Sequence, residues 1–343
     1  MAKTDALRPE WLAFEEELGF PPRLQGPTYD DIISQDLKNG QAMMAKYTFP
    51  SLDPSIKTSE HKTTSGTRLK SYKAETFQPN QPVVYWIHGG GFALGSVDLD
   101  DSLVAPLCKA TGCVFVSVEY RLAPAHKYPA ALDDCVEGAK WCVENAESLG
   151  ARKGPIVIAG KSAGGSLVFA TALKLIDEGR ESDLLGLVPC QPLTVHPDAV
   201  PEEFRGRYSS YDENADNTIN TKNAMLAFYG TKTMLRILSD LLEAYTTTDI
   251  FGAPHDDPYI YCLLHKNLKA LPKVYMNACG ADTLRDDGRL MKELLDKHEV
   301  MNQYEEYAQL PHYFFAYPTP KLDDLRKDYW EKTTKGLLWV LNG

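Results

Sequence analysis

The stretch Val157-Ile158-Ala159-Gly160-Lys161-Ser162-Ala163-Gly164-Gly165 decides how the rest of this 343-residue chain is read. It is an apolar run that ends in small residues, with one serine between two glycines. A buried strand that breaks sharply into a helix needs neighbours without bulk at the corner, because the corner residue holds a strained backbone conformation. Gly160 and Gly164 supply that room. The Gly-x-Ser-x-Gly spacing, followed by a helical pattern from Ser166, predicts a turn that lifts the Ser162 hydroxyl above a sheet. Gly160-Lys161-Ser162 also has the look of the end of a phosphate-binding loop. That motif needs its first glycine at position 155, whereas Gly154 is one residue too far and Pro155 to Ala159 reads as strand.

A serine hydroxyl is a poor nucleophile at neutral pH. It needs a base to take its proton, a carboxylate to orient that base, and donors for the developing oxyanion. The segment His88-Gly89-Gly90-Gly91-Phe92 directly follows the strand pattern Val83 to Ile87, and consecutive glycines let backbone N–H groups face a ligand. Gly90 and Gly91, with Ala163 from the turn, are the expected donors, and Gly89 is a further candidate that can instead serve the turn. Losing one such donor raises the barrier by about 3 to 4 kcal/mol. A dinucleotide-binding reading fails because Leu94 stands where the third glycine is required.

The acid is expected at Asp282, just past the end of the strand pattern Val274 to Ala278, at the sheet edge where sites of open α/β sheets lie. Asp286 and Asp287 fall inside the next helical pattern and read as charges favourable to its dipole. Of eight histidines, His312 alone follows Asp282 in a loop after a strand, since His298 falls at a helix end. His88 is expected to hold the glycine loop rather than to titrate. His61, His126, His196, His255 and His265 read as surface or loop residues. His255-Asp256-Asp257 lacks a companion histidine at helical spacing, so no metal site is expected.

In order along the chain, His88-Gly89-Gly90-Gly91-Phe92, Tyr120-Arg121-Leu122-Ala123-Pro124, Pro129-Ala130-Ala131-Leu132-Asp133-Asp134, Gly160-Lys161-Ser162-Ala163-Gly164-Gly165, Asp282-Thr283-Leu284-Arg285-Asp286-Asp287-Gly288 and His312-Tyr313-Phe314 resemble the hormone-sensitive lipase-like esterases of the α/β-hydrolase superfamily. The resemblance runs from about residue 60 to the C-terminus. It implies a triad of Ser162, Asp282 and His312, an N-terminal cap and no cofactor. Two positions depart from that family: Lys161 stands where aspartate is usual, and Thr283 where proline is usual. A lysine beside the nucleophile is expected to pair with a carboxylate of the cap or to meet an acidic substrate. The acidic cap segment and this lysine give a narrower resemblance to fungal esterases of secondary-metabolite pathways.

The formal charge of −11 argues against a nucleic-acid surface and an anionic membrane face, and suits a small-molecule ester or lactone. The first 20 residues mix charges among their apolar positions, so neither signal peptide nor membrane anchor is expected. Seven cysteines without Cys-x-x-Cys spacing read as reduced thiols of a cytoplasmic protein. A homodimer is left open.

Residues 8 to 47 carry two amphipathic helical patterns, Trp11, Leu12, Phe14 and Leu18 in the first, Ile32, Ile33, Leu37 and Met43 or Met44 in the second. Ile56 to Phe77 reads as an edge β-hairpin turning at Ser65-Gly66. Strand patterns then alternate with helical ones, which predicts a mostly parallel central sheet with helices on both faces. The alternation fails between about 195 and 255, where a helix is expected from Thr221 to Thr246 with Met234, Leu238, Leu241 and Tyr245 on one face. The expected division is therefore N-terminal helices 1–55 joining a cap insertion 196–255, over a hydrolase core of 56–195 and 256–343. Phe92, Lys161, Tyr208, Tyr211 and Phe228, with Tyr229, are candidate substrate-binding residues at the mouth. The expected activity is hydrolysis of a small apolar or aromatic ester through an acyl-enzyme. Alternatives are another reaction of the same triad (acyl transfer, dehydration or C–C cleavage) and a non-catalytic receptor.

Overall fold

The computed structural model describes residues 7–26, 28–217, 219–230 and 249–342. Eight strands form one sheet in the order β1-β2-β4-β3-β5-β6-β7-β8. These are β1 (Lys57–Lys62), β2 (Arg68–Lys73), β3 (Val84–Ile87), β4 (Phe115–Glu119), β5 (Ile156–Lys161), β6 (Leu184–Cys190), β7 (Lys273–Cys279) and β8 (Asn302–Tyr307). The β1–β2 and β2–β4 pairs are antiparallel and every later pair is parallel, so the expected hairpin does form the sheet edge.

The apolar run of β5 is buried along its whole length because helices cover both faces of the sheet. Successive side chains point to opposite sides. Ile156 and Ile158 join Tyr85 and Ile87 in one core, while Val157 and Ala159 join Val84 and Trp86 in the other. Helix α3 (Asp101–Thr111) and the closing helix Asp323–Leu341 bury the second face, and α4 (Ala130–Asn145), α5 (Ala163–Asp177) and the helix Arg285–Lys297 bury the first.

Helix α5 begins at Ala163, three positions before the periodicity starts at Ser166. Gly164 explains the difference: a Cβ there would lie 2.1 Å from the Ile87 carbonyl oxygen. Ala163, Gly164 and Gly165, which fall between the predicted corner and the start of the periodicity, are helical, and they are small so that the helix can touch the neighbouring strand.

Helix α1 (Pro9–Leu18) starts with proline at its first position and ends on Gly19 at φ 90°. Helix α2 (Tyr29–Lys46) carries a reciprocal cap in which Thr28 and Asp31 each accept the other's backbone N–H. Trp11, Phe14, Ile32 and Met43 are buried as expected, whereas Leu12, Leu37 and Met44 are exposed, the last at 73%. Among the described residues, the buried stripe of each helix is narrower than the sequence pattern.

Within 195–255 the described chain runs through short helical turns at Glu202–Arg205 and Ser210–Glu213 and a helix at Lys222–Tyr229. The expected continuation of that helix, with Met234, Leu238, Leu241 and Tyr245, falls mostly outside the described residues. Among the described residues, no helix is long and apolar enough to cross a membrane.

Candidate active site

Three parallel strands deliver their following loops to one edge of the sheet: the glycine loop after β3, Ser162 after β5 and Asp282 after β7. Ser162 alone separates β5 from α5, at φ 53° and ψ −125°. Its N–H donates to the Cys190 carbonyl at 2.8 Å and its carbonyl accepts from Ser166 N at 3.0 Å, so both neighbouring elements clamp the strained turn. Ala163 opens the helix, which leaves its N–H without a partner inside the helix and available to an anion.

Gly90 and Gly91 have φ of 120° and 59°, values that suit glycine, and a Cβ on Gly90 would sit 2.2 Å from the Leu94 carbonyl oxygen. His88 braces this loop. Its Nδ1–H donates to the Gly89 carbonyl at 2.8 Å, its ring stacks on Tyr120 with centroids 4.1 Å apart, and Tyr120 donates its hydroxyl to the His88 carbonyl. Burial holds the imidazole pKa below the usual histidine value, which keeps it neutral in that role.

Asp282 and His312 are 1% exposed, and His312 Nδ1 donates to Asp282 Oδ2 at 2.5 Å. That bond makes the other ring nitrogen, Nε2, the one offered to a substrate or nucleophile. The second oxygen of Asp282 accepts the Leu284 N–H at 3.1 Å, and Asn214 holds the Asp282 carbonyl at 2.9 Å. Thr283, which stands where proline is usual, ties the loop to the preceding segment by donating its hydroxyl to the Asn220 carbonyl at 3.1 Å.

Among the described residues, Lys161 pairs with no carboxylate of 196–255. Its Nζ lies 3.0 Å from Asp100 Oδ1, at the N-terminal boundary of α3, and 4.3 Å from the centre of the Tyr313 ring. Burial works against the charge, but Asp100 and Tyr313 outweigh it and hold the lysine pKa above its ordinary value. Sequence reading missed Asp100 and the contact role of Tyr313. A buried lysine does require a partner, yet among 47 acidic residues nothing in the spacing singles out Asp100.

A cavity of about 340 Å³ opens in front of Ser162, within the range of small-molecule sites. Its walls are the glycine loop, Asn39, Gly40 and Met43 of α2, Leu99 and Leu103 near α3, and Met225 and Phe228 of Lys222–Tyr229. Of the candidate substrate-binding residues, Lys161 and Phe228 line it. Phe92, Tyr208, Tyr211 and Tyr229 are spent on packing and internal hydrogen bonds. Phe92 stacks on Phe251 at 4.0 Å, Tyr208 donates to Asp287 at 2.9 Å, and Tyr211 hydrogen-bonds Tyr229.

Asp286 and Asp287 do more than favour a helix dipole. Asp286 accepts the amides of Ser209 and Ser210, and Asp287 those of Thr194 and Val195, which staples the 194–210 stretch to the core. Burial pushes the Asp287 carboxyl up to about 7.

His196, Asp198 and His255 bring their ligand-type atoms within 4.8 Å of one another, a convergence that helical spacing could not reveal. His196 Nδ1 accepts the Asp198 N–H at 3.0 Å and its Nε2 donates to the Gly230 carbonyl at 3.1 Å. Neither nitrogen keeps a lone pair for a metal, so the group acts as an internal brace.

A family model described as alpha/beta hydrolase fold matches residues 84–316. Versiconal hemiacetal acetate esterase of Aspergillus parasiticus is 37% identical over 330 residues, covering 96% of this chain and 97% of that protein. Among solved structures, vibralactone cyclase superposes with a TM-score of 0.78 at 25% identity, covering 100% of this chain and 97% of that one. A hyperthermophilic esterase from Pyrobaculum calidifontis gives 0.72 at 27% identity, covering 98% and 99%. The family match and the near full-length identity to an esterase agree with the sheet order and with the loops gathered at its edge: this chain belongs to the hormone-sensitive lipase-like branch of the α/β hydrolases and is a hydrolase enzyme.

Proposed function

We propose that the protein is a serine esterase that cleaves a small acetate-type ester of an apolar or aromatic metabolite through an acyl-enzyme. The observation that carries this reading is a serine on a strained strand-to-helix turn, at the edge that also holds the buried His312–Asp282 pair, facing a cavity with mostly apolar walls. In this mechanism His312 takes the Ser162 proton as Oγ attacks the ester carbonyl, and Asp282 stabilises the imidazolium. The N–H groups of Gly90, Gly91 and Ala163 receive the oxyanion. The imidazolium protonates the departing alcohol, and water activated by His312 then releases the acid. The full-length relative that carries hemiacetal acetate in its name supports an acetate as the acyl group.

Helices α1 and α2 together with the described parts of 196–255 form the cap over the remaining hydrolase core in this reading, since α2 and Lys222–Tyr229 wall the cavity. Free, buried cysteines suit a cytoplasmic setting. Ser162→Ala tests the assignment: turnover of p-nitrophenyl acetate and labelling by a fluorophosphonate should both vanish while the melting temperature holds. Undiminished turnover sinks it. A second reading, intramolecular capture of the acyl group by a substrate hydroxyl to give a lactone, is favoured by the likeness to vibralactone cyclase. It predicts a cyclic product in place of free acid.

A further inference from the structure

We infer that Tyr313 donates its hydroxyl to Ser162 Oγ and so speeds release of the acyl group, held for this task by Lys161 and Asp100. The inference deepens the serine-esterase reading and rests on it.

Four observations converge on Tyr313. Its backbone is left-handed, at φ 59° and ψ 17°, a conformation that a bulky side chain adopts only when its surroundings impose it. Its ring packs on the His312 ring with centroids 4.4 Å apart and lines the cavity beside Ser162. Its hydroxyl lies so close over Gly89 that a Cβ there would be 1.8 Å from it. That hydroxyl is buried and makes no well-formed hydrogen bond, and Ser162 and Lys161 are among the polar side chains beside it, with the Asp100 carboxylate also acting on it.

The direction of donation follows from the donor inventory. An ammonium can only donate, so Lys161 Nζ cannot accept the phenolic proton, whereas Ser162 Oγ, a neighbour of the hydroxyl, can. Burial raises the Tyr313 pKa despite Lys161, so the phenol keeps its proton at neutral pH. The lysine is fixed in turn, because Asp100 Oδ1 holds its Nζ at 3.0 Å while Trp86 Nε1 donates to Asp100 Oδ2 at 2.8 Å.

A donor at Oγ acts unequally on the two half-reactions. During attack Oγ must give electrons to the carbonyl carbon, and a hydrogen bond to it brings no gain. During deacylation His312 takes a proton from water as the hydroxide adds to the acyl carbon. The intermediate then collapses, the C–Oγ bond breaks, its electron pair returns to Oγ, and the proton passes from His312 to Ser162. Tyr313 keeps its own proton and stabilises the charge that builds on Oγ as that bond breaks.

Stopped-flow hydrolysis of p-nitrophenyl acetate by Tyr313→Phe separates the two steps. The expected result is an unchanged acylation burst, a steady-state rate lowered about 10- to 100-fold, and acetylated Ser162 accumulating by intact mass. An unchanged steady-state rate overturns the inference, and so does equal slowing of both phases, which is what a merely structural role gives. If Tyr313→Phe fails to fold, a fluorinated, more acidic tyrosine at 313 should speed deacylation, and no change in that rate overturns the inference. Absence of any burst or fluorophosphonate labelling in the wild type would instead remove the serine-esterase reading beneath it.

Discussion

The Lys161 ammonium, one residue before Ser162, is 3.0 Å from the Asp100 carboxylate, and both side chains are at least nine-tenths buried. Removing one partner of such a pair leaves an uncompensated charge in the interior. Lys161→Met is therefore expected to lower unfolding free energy by about 3 to 5 kcal/mol. Adding Asp100→Asn should recover most of that loss in urea denaturation. Additive losses would show that the two groups do not depend on each other.

Asp282→Asn keeps the shape of the proposed triad and removes the charge that holds His312 Nδ1. The expected loss is about 10⁴-fold in kcat with KM nearly unchanged. Steady-state kinetics on a short acyl ester would check it, and a loss confined to KM would assign Asp282 to substrate binding.

His196 gives the fold a pH dependence. Burial lowers its pKa to about 4 in the native state, against 6.5 for a free histidine. Between those values the unfolded chain binds a proton that the folded chain refuses, so stability falls as pH drops from 6.5 toward 4. Thermal midpoints across that range should show the slope, and His196→Gln should flatten it. An identical slope in the variant would assign the effect to other groups.

Phe228 stands over Gly91, where a Cβ would meet its ring at 2.9 Å, and it walls the cavity. Phe228→Ala should improve kcat/KM for bulky aryl esters several-fold relative to p-nitrophenyl acetate. Parallel changes for large and small esters would mean that this wall does not select by size.

The sheet was legible because parallel strands buried on both faces read as unbroken apolar runs, and β5 is the clearest of them. The turn glycines and the order of Ser162, Asp282 and His312 are what singled out the proposed site in the sequence, since that chemistry tolerates few residue types. The partner of Lys161 was not legible: Asp100 is far away in sequence, and only folding brings it beside the end of β5. The aromatic mouth was misread for Tyr208 and Tyr211, because an aromatic in a loop carries no mark separating a ligand wall from a hydroxyl that staples a buried aspartate. For the same reason, His196 and His255 looked like scattered surface residues until their rings were found stacked 3.6 Å apart.

Leu24, between α1 and α2, donates its N–H to the Ile219 carbonyl at 2.8 Å and accepts the Thr221 hydroxyl at 2.7 Å. Two walls of the cavity nearly two hundred residues apart in sequence are thus sewn together at one point. The two segments are thereby positioned as a matched pair. A graft of α1 and α2 from a relative would need its own 219–229 strip to seat correctly, which confines the paths along which such enzymes can exchange substrates.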